Sequence, residues 1–430
     1  MRKSIEKSIE ASLTEETTHP VRDVLWGHIY MTENQAKLTE SAPFMRLHRI
    51  IQLGPVYHVY PGATHTRASH SIGVYHLGRR LLQNLVERGA SAWLSIEGTK
   101  SFLAACLLHD LGHFPYTHSL KELPLTSHEG LTGAIILKEP MKSLVGKTGA
   151  DPEFTAAIVD KEMPGGTDEL FFYRKLLSGA LDPDKLDYLN RDARYCGVPY
   201  GAQDVDFILS RLHPCKERGA DIDSRLIPNV ESVLFSKYLM YRTVYWHRQV
   251  RAATAMVKKA LIDGLLSSKI TANELYNLDD TSLFFLLGEK TGNPLVEAVR
   301  EGRIFTTAAE IPHEQVNLEA IRDISSRARM EKELASELSK EGFNIKGDEL
   351  IIDIPEPISF ETGLFVIDEG CSFSESSSAF KTETVNAFIK TLYIVRIFID
   401  QKYKDRLKTF SKTYDIIRMV LTREVNNGIS

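Results

Sequence analysis

An almost wholly apolar stretch at residues 101–111 ends in an adjacent histidine and aspartate, His109 and Asp110. The stretch predicts a strongly apolar helix, and Pro115 breaks the chain soon after it. A charged carboxylate at the end of such a helix is costly to bury unless it meets a cation or hydrogen-bond donors. A divalent metal ion is the simplest compensation, because imidazole nitrogen and carboxylate oxygen are both good ligands for divalent first-row metals.

Apolar residues recur at helical spacing along the first three quarters of the chain. This pattern predicts helices at 44–51, 71–88, 101–111, 128–140, 152–161, 168–178, 183–195, 203–212 and 230–266, and an extended stretch at 56–60. After about residue 310, the segments 348–354 and 364–367 look β-like, 370–378 is a Ser-rich loop, 384–398 fits a helix or a strand, and 402–424 is a last helix. We therefore predict a mainly α chain with a polar N-terminal segment (1–20), a large helical domain (21–310) and a smaller C-terminal α+β lobe (311–430).

The composition limits the partners of the chain. The net charge of −5, from 52 basic and 57 acidic residues, argues against general nucleic-acid binding, which needs a basic face. The four cysteines are scattered without a C-x-x-C pair, which indicates a reducing compartment rather than a disulfide framework. Residues 1–16 lack the apolar core of a signal peptide, and no run approaches the ~18 apolar residues of a membrane helix. We expect a cytoplasmic protein with no membrane partner.

Further candidate ligands flank the His109-Asp110 pair, which cannot fill a coordination sphere alone. His70 lies at the start of the 71–88 helix, three residues after Arg67. Downstream, the sequence DPDKLDYLNRD at 182–192 opens another helix. Its charges recur with helical spacing, so several of them share one face, and Asp184 is the candidate ligand among them.

The order His70, His109-Asp110, Asp184 is identified as the H…HD…D signature of the HD hydrolase superfamily. Longer motifs resemble one branch of it, the deoxynucleoside triphosphate (dNTP) triphosphohydrolases. That branch includes the animal enzyme with a sterile-alpha-motif domain and its bacterial relatives. The motifs are HDLGHFPYTH at 109–118, IIQLGPVYHVYPGATHTRASHSIGVYHLG at 50–78, DPDKLDYLNRD at 182–192 and YLMYRTVYWHRQV at 238–250. The resemblance runs from about residue 20 to 310, more faintly to about 410, and implies an HD-domain helical core.

The resemblance also implies a role for each matching residue. The metal ligands would be His70, His109, Asp110 and Asp184. Phosphates would be held by Arg67, Lys185 and Lys237, and the scissile α-phosphate would be surrounded by His113, His118 and His128. The sugar and its 3′-hydroxyl would meet Gln52, Tyr188 and Asp192, while Tyr245 would fill the space of a ribose 2′-hydroxyl. The base would be bordered by Leu53, Tyr241 and Trp246.

This assignment has a consistent chemistry. A divalent metal ion makes water a nucleophile near neutral pH, and arginine and lysine neutralise charge on the polyphosphate. His118 is the expected proton donor to the leaving 5′-oxygen, because histidine titrates in the right range. The products would be a deoxynucleoside and triphosphate. The ligand set suits manganese, iron, zinc, cobalt or nickel, with magnesium as a further option beside phosphates, so the metal's identity stays open.

One position departs from the family pattern. Lys121 stands where the family usually has an acidic residue, three positions after His118. Either Glu122 or Glu129 takes over that role, or the acid–base machinery differs. The departure keeps open an HD phosphohydrolase or phosphodiesterase acting on another nucleotide, cyclic or alarmone. A nucleotide-binding protein without turnover is the third interpretation.

Several residues have plain structural interpretations beside the functional ones. These are backbone hydrogen bonding for His113 and His118, a helix N-terminal position beside Ser127 for His128, surface charge for Arg67, Lys185 and Lys237, and core packing for Tyr188 and Tyr245. The histidines that flank the motif, His58, His65 and His76, are assigned no role. The family resemblance implies a homo-oligomer, a dimer or tetramer, and a possible nucleotide activator. The sequence names neither the activator site nor the preferred base.

Overall fold

Helices dominate the chain in a computed structural model that describes residues 9–14 and 17–423. After a helical segment at 9–13, the helices up to residue 266 are α1 (Glu33–Thr39), α2 (Ala42–Leu47), α3 (Arg67–Glu87), α4 (Ile96–Leu108), α5 (His128–Ile136), α6 (Met141–Lys147), α7 (Pro152–Val159), α8 (Asp168–Leu177), α9 (Pro183–Cys196), α10 (Val205–Ser210), α11 (Ile227–Met240) and α12 (Arg248–Leu266). The later helices are α13 (Ala272–Leu275), α14 (Asp280–Thr291), α15 (Pro294–Arg300), α16 (Leu318–Arg322), α17 (Ile324–Lys340), α18 (Phe373–Ser376), α19 (Thr382–Leu392), α20 (Lys404–Thr409) and α21 (Thr413–Thr422). Among the helices of the described residues, none combines the length and the apolar sequence that crossing a bilayer requires. The predicted mainly α fold class is confirmed.

Three helices at the centre of the helical part bring the predicted metal ligands together. α3 packs against both α4 and α9. Two glycines permit these close approaches, because a Cβ at Gly78 would lie 2.5 Å from Cys106 Sγ on α4. A Cβ at Gly73 would lie only 1.9 Å from Asp187 Oδ1 on α9. The first turns of α3 and α9 and the end of α4 therefore meet in one region.

Side chains at the N-caps fix where these three helices begin. Thr66, Ser95 and Asp182 each accept a hydrogen bond from a backbone N–H of the first turn of α3, α4 and α9. Pro183 occupies the first helical position of α9, where its missing N–H leaves no bond unmade. Each cap stabilises its helix by about 1 kcal/mol. These caps define the positions of ligand candidates in the first turns of α3 and α9.

Short antiparallel sheets complete the fold. The two-stranded pairs are β1 (His19–Asp23) with β2 (Gly27–Met31), β3 (His213–Cys215) with β4 (Gly219–Asp221), and β7 (Phe365–Val366) with β8 (Cys371–Ser372). A three-stranded sheet has the order β5 (Thr306–Pro312), β9 (Ile394–Ile399), β6 (Leu350–Asp353), so its central strand comes last in the chain. Helices α17 and α21 pack against this sheet. The C-terminal part therefore has the expected α+β character, while β5 crosses the domain boundary at residue 310, which stays a prediction.

Several local predictions were wrong. The segment predicted as extended at 56–60 is largely a 3₁₀ turn, Gly54–His58, which Pro55 and the positive φ of Gly54 initiate. The single helix predicted at 230–266 is broken between α11 and α12 by a π turn, Tyr241–Tyr245, where the Trp246 N–H bonds to the Tyr241 carbonyl. The first and last residues of this break, Tyr241 and Tyr245, line a cavity.

The C-terminal predictions also needed correction. The Ser-rich segment 370–378 contains β8 and α18. The segment 384–398, which fitted a helix or a strand, is both in succession, α19 and then β9. The last helix is divided into α20 and α21, with Phe410 in an extended conformation between them. The predicted polar segment 1–20 lies partly outside the described residues, and β1 begins at His19.

Candidate active site

A cavity of about 460 Å³ opens where α3, α4 and α9 meet. Most of the predicted site residues line it: Gln52, Leu53, Arg67, His70, His109, Asp110, His113, His118, His128, Asp184, Tyr188, Asp192, Tyr241, Tyr245 and Trp246. Lys185 and Lys237 lie outside this lining. The fold therefore gathers residues from motifs that are nearly 200 positions apart in the sequence into one concave site of a size that suits a small ligand.

The predicted metal ligands converge on one point. Ligand atoms of His70, His109 and Asp110 all lie within 4.8 Å of one another. Asp184 Oδ1 lies 2.9 Å from His70 Nε2 and 3.8 Å from His109 Nε2, so the fourth predicted ligand faces the same point. Two imidazoles and two carboxylates form a donor set that suits a divalent first-row metal ion.

Hydrogen bonds from outside the cluster direct the Nε2 atoms of both histidines toward that point. His70 Nδ1 donates to Asp187 Oδ2 at 2.8 Å, and His109 Nδ1 donates to the Cys106 carbonyl at 3.0 Å. Such contacts fix the tautomer and the ring orientation of metal-binding histidines. His109 Nε2 is buried and has no hydrogen-bond partner among the described residues, as expected for a nitrogen that binds a metal ion.

The charges of the cluster also fit a cation. Burial opposes a charged His70, yet hydrogen bonds to Asp184 and Asp187 outweigh it and raise the pKa of His70 to about 10. Burial opposes the charged form of Asp184 as well, and the pairing with His70 still lowers the pKa of Asp184 to about 2. A proton on His70 thus pairs with the two carboxylates, and a divalent cation bound to His70 Nε2 would take the place of that proton.

Asp187, which sequence analysis left without a role, supports His70 from behind. Besides His70, its carboxylate accepts from Trp26 Nε1 at 2.6 Å and from Arg191 at 2.8 and 2.9 Å. Asp187 and Arg191 are fully buried. The spacing of Asp184, Asp187 and Arg191 was the available signal, because residues three and four apart share one face of a helix.

His113, His118 and His128 form a second cluster beside the metal-ligand cluster. Their ring centroids are separated by 4.0 Å (His113 to His128), 4.8 Å (His113 to His118) and 5.2 Å (His118 to His128). Gly112 permits this arrangement, because a Cβ there would lie 2.1 Å from the His128 carbonyl oxygen. Desolvation, with nearby positive charge, lowers the pKa of His113 and His118 well below the usual range, although His118 stays accessible from the cavity. Both effects favour the neutral imidazoles, and negative charge that comes close would oppose them.

Arg67 connects the two clusters. Its Nη1 donates to Asp110 Oδ2 at 2.8 Å, while its buried Nε has no partner among the described residues. Asp110 Oδ1 also lies 3.2 Å from His113 Nε2. The guanidinium thus places positive charge beside both the ligand carboxylate and the histidines.

The surroundings of Lys121 distinguish between the two acidic candidates named from the sequence. Lys121 lines the cavity. Glu122 is engaged elsewhere, with Arg327 at 2.7 Å and Lys258 at 3.0 Å. Glu129 Oε2 lies 3.1 Å from His128 Nδ1, so Glu129 is the acidic residue that contacts the histidine cluster.

Another part of the cavity presents hydrogen-bonding groups and aromatic rings. Gln52 Oε1 is buried and has no partner among the described residues, so it is free to accept a hydrogen bond. Asp192 accepts from Tyr245 Oη at 2.5 Å and from His65 Nε2 at 2.8 Å. The Tyr241 ring packs edge-on against Tyr245, with centroids 5.0 Å apart. His65, assigned no role from the sequence, is therefore a buried partner of a cavity residue.

The two lysines predicted to hold phosphates are engaged with protein groups. Lys237 Nζ bonds to the Ser359 carbonyl at 2.8 Å and to Glu361 Oε2 at 2.9 Å. Lys185 Nζ bonds to Asp182 Oδ2 and to the Gly179 carbonyl, both at 2.8 Å. It also lies 3.8 Å from the same Glu361 oxygen. A carboxylate from the C-terminal part thus stands between the two lysines.

Two more acidic residues that no sequence motif indicated line the cavity. Asp280 Oδ2 accepts from the Ile51 N–H at 2.8 Å, and burial raises the pKa of Asp280 to about 6. Glu356 accepts from Arg251 at 2.9 Å. Both come from segments far along the chain from the motifs, and only the tertiary fold brings them to the site.

Known proteins resemble this chain in sequence and in fold. A family profile described as the HD-associated region matches residues 204–410. The chain carries this region and is distantly homologous to HD-domain proteins and to the deoxynucleoside triphosphate triphosphohydrolase SAMHD1.

The matches cover different shares of the length of each relative. An uncharacterised protein from Methanocaldococcus jannaschii is 27% identical over 92% of this chain and 84% of its own length. The uncharacterised protein YwfO from Bacillus subtilis is 37% identical over 52% of this chain and 50% of its length. Human SAMHD1 is 25% identical over 57% of this chain and 45% of its length. Two uncharacterised mycoplasma proteins are 34% and 32% identical to this chain, and each match covers 55% of the relative. The matches to these two proteins and to YwfO span about half the length of the relatives.

Solved structures share the fold over nearly the whole chain. A hypothetical protein from Aquifex aeolicus has a TM-score of 0.70 and 25% identity, and the match covers 91% of this chain and 99% of that one. A phosphohydrolase from Bacteroides thetaiotaomicron has a TM-score of 0.69 and 22% identity, covering 89% and 99%. At this identity the second likeness concerns the fold alone.

Proposed function

We propose that this protein is a metal-dependent phosphohydrolase of the HD type that hydrolyses dNTPs to deoxynucleoside and triphosphate. The observation that carries the proposal is the meeting of two sets of residues in one cavity. One set is a His-His-Asp-Asp group that suits a divalent metal ion. The other presents acceptors and a tyrosine, Gln52, Asp192 and Tyr245, that suit a sugar. The homology to SAMHD1, named as a dNTP triphosphohydrolase, supports the same substrate class.

His70, His109, Asp110 and Asp184 would hold the metal ion. A divalent ion supplies Lewis acidity there and makes water a nucleophile near neutral pH. Asp187 keeps the His70 ring turned toward the ion through its 2.8 Å hydrogen bond. The identity of the ion is open, because this donor set accommodates several first-row metals.

Arg67 and the histidine cluster would act on the phosphate that is attacked. Arg67 neutralises charge on the α-phosphate, and its unpartnered buried Nε gives it a free donor. The triphosphate brings negative charge beside His113, His118 and His128, which raises the pKa values that desolvation lowers. His118, accessible from the cavity, is then protonated and gives its proton to the leaving 5′-oxygen. Glu129 supports His128 in place of the acidic residue that Lys121 replaces.

The sugar would lie against Gln52, Tyr188, Asp192 and Tyr245, with Leu53, Tyr241 and Trp246 beside the base. Gln52 Oε1 and the Asp192 carboxylate accept hydrogen bonds, so they match a 3′-hydroxyl that donates one. Lys185 and Lys237 would bind the distal phosphates by exchanging their contacts with Glu361 for contacts with substrate. A phosphate therefore has to compete with the Glu361 carboxylate for the two ammonium groups.

The test is a product assay on metal-replete protein with each dNTP alone and in pairs, in ¹⁸O-labelled water. Attack on the α-phosphate puts the label in triphosphate and leaves the deoxynucleoside unlabelled. Asp110→Asn, which removes a ligand charge, abolishes the reaction. Pyrophosphate or orthophosphate as the first product would contradict the proposed chemistry.

A second candidate, an HD phosphohydrolase or phosphodiesterase acting on another nucleotide, is favoured by one observation. Lys121 lines the cavity and adds a positive charge where related dNTP hydrolases usually have a negative one. A panel of ribo-, cyclic and alarmone nucleotides separates the two candidates. Turnover of one of these and none of the dNTPs would select the second.

We also propose that a nucleotide activates the homo-oligomeric protein. A separate cavity of about 550 Å³ is lined by Arg248, Lys404 and Lys408, with Gln249 and Gln401 beside them. The three cations can neutralise the charge of a polyphosphate, and the two amides can donate hydrogen bonds to its oxygens. Stimulation by a second dNTP that Arg248→Ala removes, with an unchanged basal rate, supports this; a fully active monomer that needs no second nucleotide contradicts it.

A further inference from the structure

His65 is buried behind the cavity wall and is bonded to segments that form it. Its backbone carbonyl accepts from the Gln52 N–H at 2.9 Å. The next residue but one, Arg67, donates its N–H to the Ile50 carbonyl at 3.0 Å. The His65 ring then reaches Asp192 on α9, with Nε2 2.8 Å from Oδ1. One residue therefore fixes the 50–52 segment relative to α9.

Asp192 extends this connection to the tyrosine. Its second oxygen, Oδ2, accepts from the Tyr245 hydroxyl at 2.5 Å. Because a carboxylate only accepts, the donors are the His65 Nε2–H and the Tyr245 O–H, and both carboxylate oxygens are engaged. The side chains of His65 and Asp192 are 0% and 2% exposed. Buried hydrogen bonds of this kind are strong and directional, so the aspartate has one preferred orientation.

Packing fixes the histidine ring itself. The ring lies against Tyr195, with centroids 4.5 Å apart and an interplanar angle of 31°. Tyr195 and Asp192 are both on α9, so the ring is held by one helix at its face and at its edge. Tyr245, by contrast, belongs to the π turn, whose backbone is not part of a regular α-helix. The Tyr245 ring packs edge-on against Tyr241, and its hydroxyl is held by Asp192.

We propose that His65 is a positioning residue for sugar recognition: by orienting Asp192 it fixes Tyr245, and it thereby sets the discrimination between nucleotides with and without a 2′-hydroxyl. The inference rests on the proposed function, in which Asp192 and Tyr245 face the sugar. An aromatic ring excludes an added hydroxyl only as far as the ring is prevented from moving. Without the His65 contact, the Asp192 carboxylate can rotate away from the Tyr245 hydroxyl. The Tyr245 ring can then move, and the space beside C2′ can accommodate a 2′-hydroxyl.

The experiment measures binding rather than turnover. 5′-Methylenephosphonate analogues of dATP, ATP, dGTP and GTP, in which carbon replaces the 5′-oxygen that the proposed reaction would release, are titrated calorimetrically into metal-replete protein. In the wild type the deoxy analogue of each pair binds more tightly. His65→Leu lowers this preference by about tenfold, the lower end of the discrimination that a pocket obtains from one small substrate group. His65→Gln, whose amide can donate to Asp192 from a similar position, retains most of it.

A matched control is His213→Leu, which removes another histidine beside an aspartate, Asp223 at 3.8 Å, outside the cavity lining. It leaves the preference unchanged. Equal loss of affinity for both sugars in His65→Leu is what a merely structural role predicts, and it would overturn the inference, as would a wild type with no preference. A preference that His65→Leu removes, in a protein that releases no triphosphate from any dNTP, would refute the proposed function and leave the role of His65 standing.

Discussion

The metal-ligand end of the cavity and the pair Lys185 and Lys237, which lies outside the cavity lining and is called the lysine end below, are built in different ways. At the first, ligand atoms from three helices already converge, and His109 Nε2 has no partner among the described residues. At the second, Lys185 and Lys237 lie outside the cavity lining and hold Glu361 between them. The first end is preorganised for a cation. The second is satisfied internally, so a phosphate must compete with a carboxylate for it.

The difference follows from what holds each end. The ligand end rests on buried groups of the helical core, above all Asp187 and Arg191, which are fully buried and hydrogen-bonded to each other. The lysine end depends on the 354–364 segment, which follows β6 and has no regular secondary structure. Preorganisation lowers the cost of binding, and internal competition raises it. Variants at the two ends should therefore affect different quantities, turnover and metal affinity at one, substrate affinity at the other.

The largest effect is expected for Asp110→Asn. This change removes a negative ligand at the centre of the cluster, so metal content falls and turnover drops by more than about 10³-fold. Metal analysis and a product assay measure the two losses. Asp206→Asn, which alters an exposed aspartate paired with Arg80, is the control and leaves both intact. Full metal content with full activity would show that the ligand end is elsewhere.

A smaller loss is expected for Asp187→Asn. The variant weakens the acceptor behind His70 and is expected to lower metal affinity by about 10–100-fold. Competition with a chelator gives the affinity, and thermal unfolding shows whether the buried pair with Arg191 still folds. Trp26→Phe removes only the donor that bonds to Asp187 at 2.6 Å, and we expect it to lower the metal affinity by a smaller factor. An unchanged metal affinity in both variants would mean that Asp187 serves the fold alone.

Glu361→Gln tests the lysine end. Removing the carboxylate frees two cations for phosphate, so KM is expected to fall by about threefold to tenfold with kcat nearly unchanged. Steady-state kinetics at several salt concentrations provide the measurement, and the gain should shrink as salt screens the lysines. Glu383→Gln, an exposed change in α19, is the control. A raised KM would instead indicate that Glu361 positions the lysines for substrate.

The smallest effect on activity, but a clear one on stability, is expected for Asp280→Asn. Burial raises the pKa of Asp280 to about 6, so between about pH 4 and 6 the folded state binds more protons than the unfolded state. The protonated carboxyl therefore contributes to the free energy of unfolding below about pH 4, and this contribution is lost as the pH rises through about 6. Asparagine keeps the acceptor for the Ile51 N–H. The free energy of unfolding of the variant should therefore exceed that of the wild type by on the order of 1–2 kcal/mol above pH 7, and the two should be equal at pH 4. Urea unfolding across this range checks the slope, and a pH-independent difference would count against it.

The same division describes what the sequence could predict. The ligand end was predictable because its residues lie in short motifs at the ends of strongly apolar helices, and helical spacing even carried a signal for Asp187. The lysine end was not, because Glu361 meets Lys237 across a separation of 124 residues that no local pattern encodes. Cavity residues Asp280 and Glu356 and the partner His65 were missed for the same reason.

The fold shows a similar limit. Periodicity predicted most helices of the first 266 residues, because each packs an apolar face. It did not predict the π turn Tyr241–Tyr245, since one extra residue per turn leaves the apolar pattern of 230–266 almost unchanged. The ambiguity at 384–398 had a physical cause as well, because α19 and β9 adjoin there and share branched and aromatic residues.

The order of strands in the three-stranded sheet has a consequence for biosynthesis. β5 and β6 are made well before β9, yet each pairs only with β9 in that sheet. On the ribosome, the helical core can assemble from the emerging chain while β6 still lacks its neighbour. The segment after β6 still contacts the helical part, through Arg251 with Glu356 and Lys237 with Glu361, but β6 itself has no partner in its sheet until β9 is made. A nascent chain interrupted before residue 394 would contain all the metal ligands, but β6, the strand that precedes Glu356 and Glu361, would lack its hydrogen-bonding neighbour.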